Sequence, residues 1–201
     1  TITQDGETFT NLTLNDGPDA WQPYGCVTQD MEGNYWVGPV SSNVPKGVGL
    51  FWRDTVHQTY GNIPAGQGQS LPSEAINAVL TDQDDGIWVG SEAGVQIISN
   101  PYAITGSSPR FAIRSVPLLA GQIVHAMAVD GVGNKWIGTE NGIFVISPDG
   151  SDSVARFTKA NSPLIDDNIT ALALDVRRDE RPVIHAHDVI AGQHQHALGP
   201  M

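Results

Sequence analysis

The chain has 201 residues, of which 40% are apolar and 16% charged, so it is long enough to bury a core as one domain. Its formal net charge of −12 opposes nucleic acid and anionic membrane surfaces, and leaves cations and neutral ligands as binding partners. No apolar run approaches the roughly 18 residues that a membrane helix requires. The 22 Gly and 13 Pro favour many short strands joined by tight turns.

The N-terminus and the cysteine content bear on processing and compartment. The chain begins at Thr1 with neither an initiator Met nor an apolar signal segment, as expected if a leader was removed or the piece belongs to something longer. Cys26 is the single cysteine, so no internal disulfide is possible. Cysteine pairing therefore does not indicate the redox compartment.

Four segments of the chain repeat one pattern, an apolar strand that ends in aspartate. The aspartates are Asp30, Asp82, Asp130 and Asp175, at spacings of 52, 48 and 45 residues. Such spacing is the length of one four-stranded propeller blade. The sequence therefore predicts an all-β fold, a β-propeller of four-stranded antiparallel blades, with about three to four blades in this chain.

A tryptophan follows each of the first three aspartates six residues later and opens a short recurring triplet. The triplets are Trp36-Val37-Gly38, Trp88-Val89-Gly90 and Trp136-Ile137-Gly138. Between aspartate and tryptophan lie residues that tolerate φ > 0 and so close a tight hairpin: Gly33-Asn34, Asp85-Gly86 and Gly133-Asn134. We interpret the aspartates, tryptophans and triplet glycines as structural, with the tryptophans filling space between adjacent blades.

A second turn and two further strands complete each unit. Ala93-Gly94 and Asn141-Gly142 form this turn, and the apolar runs at 95–98 and 143–146 follow as third strands. Residues 111–114 and 155–158 supply the fourth strands. We expect repeats near 21–72, 73–120 and 121–165, and the start of a fourth at 166–175.

The fourth repeat departs from the pattern after Asp175, where no turn, Trp or Gly follows. We therefore expect propeller blades over residues 1–175 and an irregular His-rich tail over 176–201. Three blades and one strand do not close a ring, because propellers typically have four to eight blades. Three explanations stay open: a piece of a longer propeller, a tail foreign to the propeller, or several copies that associate through open blade edges.

Two columns of the repeat bear on binding. The column four before the aspartate holds the small residues Cys26, Ala78, Ala126 and Ala171, so we interpret Cys26 as a packing residue and not as a nucleophile. The preceding column is polar after its first member, and we expect it to face the channel mouth. It holds Gly25, Asn77, His125 and Thr170.

The first repeat also carries an insertion. Eleven residues lead from Gly38 to Gly49, where the later repeats use four, and the extra loop contains Asn43 and Lys46. Insertions in single repeats often carry binding. The predicted ligand-binding residues are therefore Asn77, His125, Thr170, Asn43 and Lys46.

We predict no metal site and no cofactor. The segment 82–86 resembles a calcium loop but lacks the later glutamate, and hairpin chemistry explains it better. His185, His187, His194 and His196 form two His-x-His pairs, which bind a transition metal when both imidazoles share one face. His-rich termini are more often adventitious, so we assign no function to these residues.

Residues 76–98 and 124–146 resemble the two-component regulator propeller repeat: an apolar strand, Asp, a Gly turn, Trp-Ile/Val-Gly-Thr/Ser, then Gly and a further apolar strand. Residues 120–175, through the segments 135–150 and 157–164, resemble the cell-surface propeller proteins of the type IX secretion attachment complex. The resemblance implies a secreted, periplasmic or outer-surface protein of a Bacteroidetes-like Gram-negative bacterium.

The same resemblance implies a non-catalytic scaffold that recognises glycan or lipopolysaccharide, or docks a protein partner. The family also includes sensor ectodomains of hybrid histidine kinases, which is the alternative function. A third alternative is a propeller lyase or hydrolase that uses His125 with Asp84 or Glu140. The chain has no Gly-x-Ser-x-Gly elbow, no His-Glu-x-x-His pattern and no phosphate loop, so we favour a binding module over an enzyme.

Overall fold

A computed structural model describes residues 2–3, 9–10, 24–39, 49–66, 70–105, 108–175 and 183–186. These residues form three four-stranded antiparallel sheets and two two-stranded ones. Two 3₁₀ turns, Pro101–Thr105 and Pro117–Leu119, are the helical elements within these ranges. In the same ranges, no helix has the length and apolar character needed to span a membrane. The predicted all-β fold of four-stranded blades is confirmed.

The strands of each blade pair in chain order, from first to fourth. A hairpin of β1 (Ile2–Thr3) and β2 (Phe9–Thr10) comes first in the chain. Blade 1 consists of β3 (Tyr24–Gln29), β4 (Tyr35–Pro39), β5 (Leu50–Arg53) and β6 (Tyr60–Ile63). Blade 2 consists of β7 (Ile76–Thr81), β8 (Ile87–Ser91), β9 (Gly94–Ile98) and β10 (Ile113–Ser115). Blade 3 consists of β11 (Val124–Val129), β12 (Lys135–Thr139), β13 (Gly142–Ile146) and β14 (Ser153–Phe157).

The fourth repeat continues further than its sequence predicted. Its first strand, β15 (Leu172–Asp175), pairs with β16 (Val183–Ala186), so the expectation of an irregular tail is wrong for residues 183–186. His185 pairs with Ala173, the residue two before the aspartate, which is the register of the tryptophan in the other blades. Strand pairing needs backbone hydrogen-bond partners and does not need the tryptophan. Val183 and Ile184 are residue types that favour strands, so β16 forms without the Trp triplet.

Each first strand carries a register shift near its start, between Tyr24 and Cys26, Ile76 and Ala78, and Val124 and Ala126. The residues within these shifts are Gly25, Asn77 and His125. Such a shift leaves one residue out of the ladder and re-aims its side chain. The column that was predicted from the sequence as polar is therefore a column of bulge positions.

The apolar core lies between successive sheets. Trp36 packs in one cluster with Ile76 and Val89 of blade 2. Trp88 packs in a second cluster with Val124 and Ile137 of blade 3. Each sheet therefore buries a face against the next, which aligns the blades.

The antiparallel order gives the blades two ends. One end, which we call the turn face, carries the hairpins between first and second strands at 30–34, 82–86 and 130–134. The other end, which we call the start face, carries the beginnings of the first strands and the turns at 92–93 and 140–141. The bulge positions lie at the start face.

Candidate functional site

Each of the first three aspartates ties its turn to its tryptophan. Asp30 Oδ1 accepts hydrogen bonds from the backbone of Glu32 and Asn34 at 3.1 and 2.8 Å, and its Oδ2 accepts one from Trp36 Nε1 at 3.0 Å. The indoles of the next two blades do the same: Trp88 donates to Asp82 at 2.7 Å and Trp136 to Asp130 at 3.1 Å. The sequence did not predict this indole–carboxylate bond, although the constant six-residue step was its signal.

Asp130 illustrates the electrostatic state of these turns. Burial raises the pKa of its carboxyl, but hydrogen bonds from Trp136, Asn134 and Val132 outweigh that effect, and the net pKa is lowered. The carboxylate is therefore ionised at neutral pH and its oxygens are engaged by the protein itself. Such a group stabilises a hairpin and is not available to a substrate.

The triplet glycines make room for the next blade. A Cβ on Gly38 would lie 2.7 Å from Ile76 Cγ2, and one on Gly90 would lie 2.6 Å from Val124 Cγ1. Gly138 stands in the same relation to Ile169 Cγ2, at 2.7 Å. Real Cβ contacts do not come so close, so these glycines set the distance between neighbouring blades.

Cys26 lies in the same inter-blade region. Its Sγ is 3.8 Å from the backbone oxygen of Ile76 and 4.0 Å from that of Gly38. Burial raises the pKa of the Cys26 thiol to about 11. The thiol is therefore protonated and unreactive at neutral pH.

Asn77 and His125 occupy equivalent bulges but have different surroundings. Asn77 Nδ2 donates to the backbone oxygen of Val124 at 2.9 Å, so its amide joins blade 2 to blade 3. His125 Nε2 is enclosed and has no hydrogen-bond partner among the described residues. It lies 3.7 Å from Glu140 Oε1, beyond hydrogen-bond distance, and the side chains are 27% and 48% exposed.

The turn that carries Glu140 is held against the segment before β11. Glu140 N donates to Ile123 O at 3.3 Å, and Asn141 Nδ2 donates to Gln122 Oε1 at 3.0 Å. These contacts fix the Glu140 backbone next to His125. Sequence reasoning recognised Asn141 as a turn residue but did not foresee its bond with Gln122.

The other predicted site residues are distributed as follows. Thr170 is exposed at the start face, and Asn43 and Lys46 lie outside the described residues. Asp84 lies in a turn-face hairpin, where its backbone N donates to Asp82 Oδ1 at 3.0 Å. The structure therefore brings Glu140, and not Asp84, beside His125.

A second histidine–carboxylate pair, which the sequence did not reveal, lies at the turn face. His57 Nδ1 is 2.7 Å from Asp54 Oδ2, and the backbones of Val56 and His57 donate to Oδ1. Burial raises the pKa of Asp54, but the hydrogen bonds from His57 and Val56 outweigh it and the pKa is lowered. Asp54 therefore caps the hairpin between β5 and β6.

One carboxylate of the acidic segment at 82–86 is paired with a buried cation. Lys135 Nζ lies 3.2 Å from Asp82 Oδ2, and both side chains are buried. Across the described ranges, no three His, Cys, Asp or Glu side chains are grouped to hold a metal ion. Of the tail histidines, His185 is described only in its strand, and His187, His194 and His196 lie outside the described residues.

Comparison with known families and proteins adds one match at the sequence level. The family described as two component regulator propeller matches residues 70–93, which contain β7, the Asp82 turn and β8. No curated protein matches the chain. The family match therefore falls on the blade that is described in full above.

This chain is similar to three solved structures. The extracellular domain of a protein assigned to a hybrid two component system of B. thetaiotaomicron is 18% identical, over 82% of this chain and 19% of that one, with a TM-score of 0.60. A catalytically inactive virginiamycin B lyase from Staphylococcus aureus is 13% identical, over 81% and 47%, with a TM-score of 0.50. PorZ, a surface component of the type-IX secretion system of Porphyromonas gingivalis, is 20% identical, over 76% and 29%, with a TM-score of 0.47.

These similarities concern the fold, because none of the three proteins exceeds 20% identity. This chain spans less than a third of PorZ and about a fifth of the two component ectodomain. Within residues 70–93, the family match coincides with the first two strands of blade 2 and with the bond between Asp82 and Trp88. The chain is therefore a run of β-propeller blades, and residues 70–93 of its second blade match the two component regulator propeller family.

Proposed function

We propose that this chain forms part of a non-catalytic propeller that serves as a binding and docking scaffold, in the periplasm or at the outer cell surface of a Gram-negative bacterium. Its start face recognises a glycan. The observation that carries the proposal is the enclosed His125 Nε2, which has no hydrogen-bond partner among the described residues and lies beside the partly exposed Glu140 carboxylate.

The division of labour within each blade supports a scaffold. The polar side-chain groups of the recurring residues form hydrogen bonds with each other, as Trp36 does with Asp30. The residues that differ from blade to blade lie at the bulges of the start face, where Gly25, Asn77 and His125 share one register. A rigid frame with a variable end is the usual design of a binding protein.

The chemistry at His125 suits a hydroxyl group. Imidazole nitrogen and carboxylate both form hydrogen bonds with a hydroxyl, and the 3.7 Å between Nε2 and Oε1 is too long for them to satisfy each other. The His125 side chain is 27% exposed although Nε2 itself is enclosed, so a rotation of the imidazole would let one sugar hydroxyl bridge the nitrogen and the carboxylate. The net charge of −12 favours a neutral sugar over an anionic one.

A glycan array followed by calorimetry tests this proposal. The chain is applied to the array, and affinity for the best glycan is then measured for the wild type, His125→Ala and Glu140→Gln. We expect about tenfold or greater loss in both variants, because each removes a hydrogen bond to the bound hydroxyl group. Glu92→Gln, at the exposed start-face turn of blade 2, is the matched control and keeps wild-type affinity. Equal affinity in all four proteins, or binding to no glycan, contradicts the proposal.

A sensor ectodomain of a hybrid histidine kinase is the second candidate function. The family match at 70–93 supports it, because the matched family is named for two component regulators. The same start face would then bind the signal. A membrane helix and a kinase core encoded downstream in the parent gene would favour the sensor over the free scaffold.

The more specific form of the proposal assigns the scaffold to type IX secretion. It rests on the resemblance of residues 120–175 to the attachment-complex propellers. Deletion of the gene should then stop the surface display of type IX cargo, and cargo display that continues as before counts against this assignment.

A catalytic role is the weakest of the alternatives. Among the described residues, Glu140 is the acidic neighbour of His125, while Asp84 lies at the turn face of blade 2. An acid–base mechanism predicts turnover of the bound glycan that His125→Ala abolishes. Recovery of the intact glycan after prolonged incubation supports the scaffold instead.

A further inference from the structure

The turn face presents a second surface, distinct from the glycan site at the start face. We call it the docking ridge and define it as the four hairpins at 30–34, 54–59, 82–86 and 130–134. Hydrogen bonds join these hairpins side by side. They run from Thr55 N to Asn34 Oδ1 (3.1 Å), from Met31 N to Asp85 Oδ1 (2.8 Å) and from Gln83 Nε2 to Asp130 O (3.5 Å). The ridge is therefore continuous across three blades.

Large apolar side chains stand out along this ridge. Met31 is 64% exposed, Val56 is 73% exposed and Val132 is 74% exposed. Single exposed apolar residues are common, but these three lie on hairpins that hydrogen bonds join into one ridge. The hairpins do not need these three side chains for their geometry, because Asp30, Asp54 and Asp130 hold the turns by accepting hydrogen bonds from backbone N–H groups.

The charge of the ridge has one sign. Its hairpins contain no Lys or Arg, and their carboxylates are Asp30, Glu32, Asp54, Asp82, Asp84, Asp85 and Asp130. Glu32 and Asp84 are exposed, whereas the aspartates at the hairpin starts are buried. Two nearby cations are engaged within the protein: Lys135 is buried against Asp82, and Arg53 donates to Gln58.

We propose that the docking ridge binds a partner protein through a segment in which Lys or Arg side chains are set among apolar ones. The cations would pair with Glu32 and Asp84, and the apolar side chains would cover Met31, Val56 and Val132. An anionic partner such as nucleic acid is disfavoured by the same carboxylates. The inference rests on the proposed scaffold role but uses the opposite face of the blades.

Peptide binding by the whole chain tests this proposal. The probes are three sets of synthetic peptides that have the same length and the same leucine content and carry lysine, glutamine or glutamate at the remaining positions. Their binding is measured by fluorescence anisotropy. Asp84→Lys reverses one ridge charge, and Glu92→Lys makes the same change on the start face. We expect selective binding of the lysine peptides, about tenfold weaker binding in Asp84→Lys and unchanged binding in Glu92→Lys.

A second variant separates the apolar contribution from the charge. Met31→Ser with Val132→Ser keeps every charge and alters side chains that are largely exposed, so it should fold and yet lose affinity for the lysine peptides. The proposal is overturned if affinity does not depend on peptide charge, or if Asp84→Lys and Glu92→Lys lose affinity equally. His125→Ala should leave peptide binding intact, which distinguishes failure of the ridge from failure of the glycan site.

Discussion

Lys135 of blade 3 reaches Asp82 of blade 2, with Nζ 3.2 Å from Oδ2, and supplies a contact that an asparagine supplies in the other blades. There the donors are Asn34 Nδ2 to Asp30 and Asn134 Nδ2 to Asp130, each at 3.1 Å. In blade 2 this position is Gly86, which has no side chain to supply an amide. Lys135 Nζ also donates to Pro148 O at 2.7 Å and lies 4.6 Å from the Trp88 ring centroid. In blade 2, the buried Lys135 cation therefore takes the place of the asparagine amide and also links blade 2 to blade 3.

Removal of the Lys135 cation should destabilise the fold, and an amide added at position 86 should restore part of the lost stability. We expect Lys135→Met to lower the free energy of unfolding by about 3 kcal/mol or more, because it leaves the buried Asp82 carboxylate without its cation. Lys135→Met with Gly86→Asn recreates the turn of blades 1 and 3 and should recover part of this. Urea denaturation measures both. The same loss with and without Gly86→Asn would show that the asparagine and lysine contacts are not equivalent.

Ionisation of the Asp130 carboxyl should make the free energy of unfolding depend on pH in the acid range. Its folded-state pKa is lowered, so the stabilisation is fully present above the ordinary carboxyl pKa of about 3.9 and is lost as pH falls through the lower folded value. Asp130→Asn should cost about 1.5–3 kcal/mol at neutral pH, since it removes hydrogen bonds to a charged group. The unfolding free energies of the wild type and Asp130→Asn should begin to converge below about pH 4 and meet below the folded-state pKa of Asp130. A difference between the two proteins that stays constant from neutral to acid pH contradicts this assignment.

Gly90 should tolerate no side chain. Gly90→Ala places a Cβ 2.6 Å from Val124 Cγ1, and overpacking of this kind typically costs about 1–3 kcal/mol. Gly131→Ala is the matched control, because a Cβ there meets nothing within 4 Å. In a double-mutant cycle with Val124→Ala, we expect the two losses to be less than additive. Strict additivity would mean that the two residues do not limit the blade spacing.

The fold could be predicted because its signals are local. Asp82 and Trp88 are six residues apart, and the turn between them contains residues suited to positive φ, which Asp85 adopts at 62°. The bond between Lys135 and Asp82 could not be predicted, because it depends on how two sheets stack. The strand at 183–186 was missed for the opposite reason, since the tryptophan signal is absent there while backbone pairing remains.

The candidate site was predicted in part. His125 could be singled out as the polar residue of a recurring column, but the column gave no reason to prefer Glu140 over Asp84 as its acidic neighbour. That choice depends on which end of the blade each residue occupies, and the strand order determines it. The exposed turn-face residues Met31 and Val132 carried no repeat signal, because the recurring residues are those that hold the hairpins.

Cys26 should resist alkylation in the folded chain. With a thiol pKa raised to about 11 by burial, little thiolate exists at neutral pH, and the thiolate is the reactive form. We expect iodoacetamide to label the folded chain about tenfold or more slowly than the urea-unfolded chain, as followed by mass spectrometry. Comparable rates would indicate an accessible, ionised thiol and contradict the packing role.

Side-chain nitrogen NMR on the whole chain tests the central claim most directly, since the His125 imidazole and the Trp36, Trp88 and Trp136 indoles all give observable signals. On titration with a glycan identified by the array, we expect the His125 Nε2 resonance to move while the three indole resonances, bonded to their aspartates, stay in place. A bound glycan that shifts the indoles and leaves His125 unchanged would contradict the division between a structural interior and a binding start face.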